Sequence, residues 1–226
     1  MRRVVAAHVP AAGECVELDD EASHHVLRVI RLPRGATIRV TDGRGAAAEA
    51  VLDDVRGTRA VLRVVAPVLV VAAPRRVVLL GMPKGPLLDE ALTLATEAGA
   101  TEVRLVRARR SPPGEAKLDR LDRVVRAAVT QCGRAAVPDL RAPTSWADAL
   151  DGCPEARWLA DADGDDAPRP TTSPLALAVG PEGGLDAEER ALLVGAGFLP
   201  VRLGPHTLRS PTAVAAALAA GFRSFE

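Results

Sequence analysis

From Arg76 onward, short apolar runs alternate with longer helical patterns, and this alternation limits the fold more than any other feature of the chain. "RVVLLGM" stops at Pro83-Lys84-Gly85 and is followed by "LLDEALTLATEAGA", which reads as a helix closed by Gly99. "TEVRLVRA" reads as the next strand. "KLDRLDRVVRAAVTQCGR" reads as a helix with Leu118, Leu121, Val124, Val125 and Val129 on one face. "RWLADA" and "LALAV" add strands, residues 164–174 (GDDAPRPTTSP) a polar connector, and "AEERALLVGAG" another helix. Strand–helix alternation predicts an α/β domain with a parallel sheet under covering helices.

The first seventy residues follow another pattern. "VVAAHV", "HHVLRVIRL", "ATIRVTD", "AAAEAVL" and "AVLRVVAPVLVV" are rich in Val, Ile and Leu and are separated by turn signals at residues 33–35, 43–45 and 56–58. Many short strands with tight turns predict a small barrel. The pattern changes at "AAPRR", so the domains divide as 1–72 and 73–226.

Charge is uneven beneath a net charge of zero. Residues 75–141 carry 13 basic and 8 acidic groups, whereas residues 142–226 carry 6 and 12. A basic middle segment suits a phosphate-bearing partner, although a solvated surface has the same composition. The longest apolar stretch, residues 64–73, is ten residues long and holds Pro67, too short to span a bilayer. "MRRVVAAHVPAAGE" lacks the sustained apolar core of a signal peptide. Cys15, Cys132 and Cys153 are odd in number and far apart, which argues against a disulfide framework or a zinc site and for the reducing cytoplasm. His8, His24, His25 and His206 show no metal-ligand spacing.

Two loops carry the chemistry. Residues 180–184 (GPEGG) follow the apolar run "LALAV", where parallel sheets place their ligands. Its glycines let backbone approach a ligand, Pro181 stiffens it, and Asp186 with Glu189 forms a capping-box pattern that starts the next helix. Neither a Walker loop nor GxGxxG is present, so nucleotide phosphates are not expected. The second loop lies in "VRLGPHTLRSPTAVAAALAAG". A short strand ends at Leu203-Gly204, Arg209 sits at a loop–helix junction, Ser210 is placed as an N-cap and Pro211 as the first helical residue. The helix that follows is almost entirely Ala, Val and Leu and must be buried, in the subunit or against a partner.

"HHVLRVIRLPRGATIRVTDGRG", "MPKGPLLDEALTLATEAGA", "TQCGRAAVP", "LAVGPEGGLDAEE" and "LGPHTLRSPTAV" occur in that order. Together they resemble the RsmE-type 16S rRNA uridine-N3 methyltransferases of the SPOUT superfamily, over nearly the whole chain. The resemblance implies an N-terminal PUA-like barrel, a C-terminal domain with a deep trefoil knot, bound S-adenosylmethionine and a homodimer that acts on 16S rRNA of the small ribosomal subunit. It places cofactor contacts on Leu177, Val179, Gly180, Glu182, Gly183, Gly184, Leu203, Gly204, Thr207 and Leu208. The last helix would pack in the dimer interface.

The implied reaction moves a methyl group to uracil N3, whose proton is only weakly acidic, so a base or an anion-stabilising cation should assist. Arg209 is the candidate cation; Glu182 and Glu97 are the candidate carboxylates. Arg28, Arg31, Arg109, Arg110, Arg123, Arg126 and Arg134 are candidate RNA contacts, with Arg34, Arg107 and Arg120 beside them. Without tyrosine, and with Trp146, Trp158, Phe198, Phe222 and Phe225 as the aromatics, a stacking platform is not expected. The chain departs from the family pattern at Pro211, which replaces a glutamate, and at Ala98, Leu121, Ala127, His206 and Thr207. Three rivals follow: an RNA-binding assembly protein that has lost the chemistry, a SPOUT enzyme with another RNA target, and a small-molecule α/β enzyme. The last is disfavoured because Glu182 would repel a phosphate.

Overall fold

The computed structural model describes residues 2–68, 74–114, 116–166 and 174–221. The residues group into two units: Met1–Ala72 with Arg126–Val137, and Ala73–Val125 with Pro138–Glu226. The sequence division at 72/73 puts Arg126–Val137 with the second domain; by contact this stretch belongs with the first unit. The boundary residues themselves lie outside the described ones.

In the first unit β1 (Arg3–Val5), β2 (Cys15–Glu17), β3 (Thr37–Thr41), β4 (Ala47–Arg56) and β5 (Arg59–Val68) form one sheet in the order β1-β3-β4-β5-β2. All pairs are antiparallel except β1 with β3. Gly57, at φ +62°, turns β4 into β5. Val16, Ile38, Val40, Ala50, Leu62 and Val64 are buried on the inward face.

The expected strand "HHVLRVIRL" is not a strand. Asp20–His24 is helix α1, which continues as a π-helical turn over His25–Val29. The Asp19 side chain accepts from Ala22 N at 2.8 Å, and Asp20 and Glu21 occupy the first turn, where acidic groups complement the helix dipole. These capping residues override the strand preference of Val26, Val29 and Ile30, and Val26 is fully buried in the core.

In the second unit β6 (Arg76–Gly81), β7 (Glu102–Val106), β8 (Asp139–Thr144), β9 (Ala156–Asp166), β10 (Leu175–Val179) and β11 (Leu199–Arg202) make a wholly parallel sheet in the order β11-β9-β10-β6-β7-β8. Every residue of β6, β7 and β10 is buried, as for strands covered on both faces. Helices α2 (Gly85–Glu97), α4 (Trp146–Ala149), α5 (Ala187–Gly195) and α6 (Ser210–Gly221) belong to this unit, with α6 packed on α2 and β10; α3 (Leu118–Cys132) begins in it and, from Arg126, is grouped with the first unit. Gly99, at φ +94°, follows the end of α2 as the sequence predicts. Strands β2 and β8 and helix α4 have no counterpart in the sequence reading. The polar connector is partly strand, because β9 runs to Asp166; residues 167–173 lie outside the described ones.

The chain runs from β6 outward to β8, then returns to the other side of β6 with β9, β10 and β11. The strand order therefore reverses beside β6 and β10. In open parallel sheets, ligands bind outside the carboxyl ends at such a point. No helix among the described residues is long and apolar enough to cross a membrane.

Candidate active site

A cavity of about 520 Å³ lies at the carboxyl end of β10 beside the middle of β9, between three stretches of chain: residues 159–163, the loop after β10, and the loop after β11.

The first wall is a break in strand pairing. On β9, Leu159 pairs with Pro200 of β11, but the next pair is Asp165 with Val201. Residues 160–164 thus bulge out of register, and Ala160, Asp161, Ala162 and Asp163 face the cavity. Gly164 closes the bulge; a Cβ there would sit 2.5 Å from the Pro200 carbonyl carbon. Asp161 is pinned at both oxygens, to Arg190 Nε at 2.7 Å and to Asp163 N at 3.0 Å.

The second wall is the GPEGG loop. Gly184, at φ +71°, donates its N–H to Pro181 O at 2.8 Å and closes a tight turn. Pro181 lies against β6, where a Cβ on Gly81 would come within 2.7 Å of its Cδ. The expected capping box is present: Asp186 Oδ1 accepts from Glu189 N at 2.8 Å and Glu189 Oε2 from Asp186 N at 3.1 Å. Glu189 does more than the sequence suggests. Its other oxygen accepts from Arg109 N at 2.8 Å and from Trp146 Nε1 at 3.2 Å, so one buried carboxylate joins α5, α4 and the loop after β7. Glu189→Gln keeps the shape but turns one acceptor into a donor. The variant is expected to lose about 1–3 kcal/mol, the cost of leaving buried donors unpaired. Thermal unfolding should then fall by about 2–4 °C per kcal/mol.

The third wall runs from Leu203 to Ser210. Ser210 is the first residue of α6 rather than its N-cap: Ala213 N bonds to Arg209 O at 2.8 Å, and the Ser210 hydroxyl donates to Gly180 O at 2.9 Å. The hydroxyl fastens one pocket loop to the other instead of capping its own helix.

Val179, Gly180, Glu182, Gly184, Leu203, Gly204, Thr207, Leu208 and Arg209 all line this cavity. Three other selected residues do not. Leu177 is buried within β10, between Val78 and Trp158 in the pairing register. Gly183 turns from the cavity toward Arg110; a Cβ there would lie 3.0 Å from Arg110 Cβ. Glu97 is exposed in the last turn of α2, whose first residue, Gly85, lies at the pocket end of β6. At about 1.5 Å per residue the helix carries Glu97 roughly 18 Å away. Glu182 remains as the pocket carboxylate, and its Oε2 accepts from Lys84 N at 3.4 Å. Arg209 pairs with Glu90 of α2 at 3.5 Å, with side-chain exposures of 62% and 43%. Asp161, Asp163 and Arg190 also line the cavity from outside the two expected loops, and His206 lines it within the second loop. The acid-rich "DADGDD" was the available signal for the first two.

The candidate RNA contacts divide between the units. Arg28 and Arg31 are exposed in the first, where Arg31 takes φ +47°. Arg126 is exposed there too, while Arg134 is partly buried and its pKa is lowered by that burial. Arg109, Arg110 and Arg123 are exposed in the second unit. Arg109 pairs with Asp186 at 3.1 Å and with Glu188, and Arg110 donates to Gly183 O at 2.7 Å. No cluster of three His, Cys, Asp or Glu side chains suited to a metal ion occurs among the described residues.

The RNA methyltransferase domain family matches residues 72–221. The chain is 31% identical to the Ribosomal RNA small subunit methyltransferase E of Synechocystis sp., covering 96% of this chain and 76% of that protein. It is 32% identical to the protein of the same name from Mycobacterium bovis, covering 94% and 87%. Among solved structures, the Neisseria gonorrhoeae Ribosomal RNA small subunit methyltransferase E bound to S-adenosyl methionine superposes with a TM-score of 0.89 at 28% identity, over 97% of this chain and 96% of that one. A putative methyltransferase from Legionella pneumophila, solved in complex with the same cofactor, gives 0.85 at 26% identity over 96% and 95%. With a glycine-walled cavity at the switch point of its sheet, a family match over residues 72–221 and relatives more than 30% identical over most of their length, this chain belongs to the ribosomal RNA small subunit methyltransferase E family of RNA methyltransferases.

Proposed function

We propose that the protein methylates N3 of a uridine in 16S rRNA of the small ribosomal subunit, with S-adenosylmethionine as donor. The observation that carries this reading is the cavity at the sheet's switch point, in a chain that aligns end to end with a relative solved with that cofactor. The cavity suits the donor: its volume lies in the small-molecule range, Gly180, Gly184 and Gly204 stand at its walls, and Asp163 and Glu182 suit a cationic ligand.

When bound, S-adenosylmethionine supplies an activated methyl group on a sulfonium. Backbone groups of residues 203–208 would hold the adenine. Gly180, Glu182 and Gly184 would border the ribose and methionine end. Glu182, the sequence-selected carboxylate left at the wall, would take the N3 proton or orient the base. Arg209 would balance negative charge on the uracil oxygens. Its bond to Glu90 is solvent-screened and inexpensive to break, so the guanidinium can turn to the substrate. The exposed arginines would bind phosphates, which makes affinity fall with salt.

The remaining architecture is proposed in the same way. The Ser210–Gly180 bond and the packing of α6 on β10 and α2 support a C-terminal segment threaded as a trefoil knot. The mixed five-stranded sheet supports a PUA-like barrel in the first unit. Family membership supports a homodimer that acts in the cytoplasm; α6 itself buries Val214, Ala217 and Leu218 within its own subunit.

The test is methylation of small subunits with labelled donor, followed by nucleoside analysis. The label is expected in 3-methyluridine. Arg209→Ala should lower kcat about a hundredfold with the donor KM within about threefold, and Arg209→Lys should recover part of it. Label at another atom, or no transfer by folded protein, overturns the reading.

A further inference from the structure

Arg110 belongs by charge to the basic loop after β7, and as an exposed arginine it looks like a phosphate contact. Its surroundings point elsewhere. The loop that carries it is anchored immediately before it: Arg109 N is held by the buried Glu189 at 2.8 Å, and the Arg109 guanidinium pairs with Asp186 at 3.1 Å and with Glu188. Arg110 is thereby presented to the GPEGG loop in one place. Its Nη1 donates to Gly183 O at 2.7 Å, and the same nitrogen lies 3.8 Å from where a Gly184 Cβ would be. At Gly183 a Cβ would come within 3.0 Å of Arg110 Cβ and 3.4 Å of its Cδ. The missing side chain at Gly183 is what lets the arginine lie along the loop.

We infer that Arg110 is a positioning residue for the donor pocket. It holds the Gly183 carbonyl on the outer side of the loop, and the loop's inner side, through Gly180, Glu182 and Gly184, forms the cavity wall. A charge-assisted bond to a carbonyl is stronger than a neutral one, and the anchored loop leaves little entropy to be lost in making it. Other bonds also restrain the loop: Ser210 to Gly180 O at one end, Gly184 N to Pro181 O and Lys84 N to Glu182 Oε2 within it, and the α5 capping box at the other end. None of these holds the Gly183 carbonyl, so without Arg110 that peptide is tied only through the Gly184 N–H to Pro181 O. This inference rests on the proposed donor site.

The experiment is calorimetric titration of the full-length protein with S-adenosylhomocysteine, beside filter binding to small-subunit rRNA over a salt series. The unsubstituted protein is measured first; if it is folded and binds no nucleoside, the donor-site reading and this inference fall together. If it binds, Arg110→Ala is expected to weaken the nucleoside about five- to twentyfold, with the melting temperature unchanged and the salt slope of RNA binding unaltered. In turnover, KM for the donor should rise while KM for RNA stays. Arg110→Lys should restore part of the affinity. Gly183→Ala, which displaces the arginine from the other side, should reproduce the loss. Unchanged nucleoside affinity in Arg110→Ala, with weaker RNA binding and a salt slope smaller by about one, makes Arg110 a phosphate contact and overturns the inference.

Discussion

Glu102→Gln is expected to lower the free energy of unfolding by about 3–5 kcal/mol at neutral pH, the usual cost of leaving a buried charge without its partner. Glu102 opens β7 at the end of the sheet away from the cavity, and its side chain is 6% exposed. Three arginines converge on it: Arg104 at 2.7 Å, Arg75 at 2.8 Å and Arg141 at 2.8 Å. Arg104 is equally buried, so its guanidinium cannot turn to water when the carboxylate goes. Its remaining bonds, to Ala149 O at 2.7 Å, Asp151 O at 2.5 Å and Cys153 Sγ at 3.7 Å, give it no countercharge.

The same site has a pH signature. Burial alone would push the Glu102 carboxyl up, but hydrogen bonds from Arg104 and Arg75, with the charges of Arg104 and Arg141, more than offset it and leave the pKa below the usual glutamate value. A carboxyl depressed in the folded state stabilises fully above its unfolded pKa of about 4.3 and loses that contribution as pH falls through the folded value. The difference between the parent and Glu102→Gln in urea unfolding should therefore be flat from pH 8 to about 5 and shrink below about 4. A difference that grew on acidification would refute this account of the cluster.

The second large effect is on binding. Gly204→Leu should weaken the donor or its demethylated product about a hundredfold or more while melting within about 2 °C of the parent. Gly204 lines the cavity, its backbone is not in the left-handed region, and a Cβ there meets no atom within 4 Å. The added side chain therefore enters open space without disturbing the fold, and that is the space the ligand needs. Isothermal titration beside differential scanning calorimetry separates the two effects. Wild-type affinity in the variant would move the ligand away from the loop after β11.

The sequence was informative where periodicity and capping are local. The strands β6, β7 and β10, the helices α2 and α5, Gly99 after α2, and the Asp186–Glu189 box follow from neighbouring residues. The two loops that bound the cavity could also be read, because glycine-rich turns at strand ends have a stated use. The third wall could not. The bulge at residues 160–164 exists because β9 changes register against β11, which lies some forty residues further along the chain. Nothing in "WLADADGDD" announces it. Glu97 had the right chemistry in the wrong turn: its motif block begins at the cavity and ends a helix length away. Leu177 and Val179 belong to one apolar run, and only Val179, the residue that ends the strand, meets the cavity. Helix α1 is signalled by its acidic Asp19-Asp20-Glu21 start, which outweighs the β-branched residues that follow. Arg110 shows the opposite limit, for its charge was visible and its partner, a backbone carbonyl 73 residues away, was not.

The central claim is that the cavity between the GPEGG loop and the loop after β11 holds S-adenosylmethionine. Calorimetric titration of the purified protein with S-adenosylmethionine tests it most directly. The account predicts saturable binding at micromolar concentration, retained by Glu97→Ala and lost in Gly204→Leu. A folded protein that gives no binding heat at millimolar ligand, or one that binds equally well with Gly204 replaced, would contradict it.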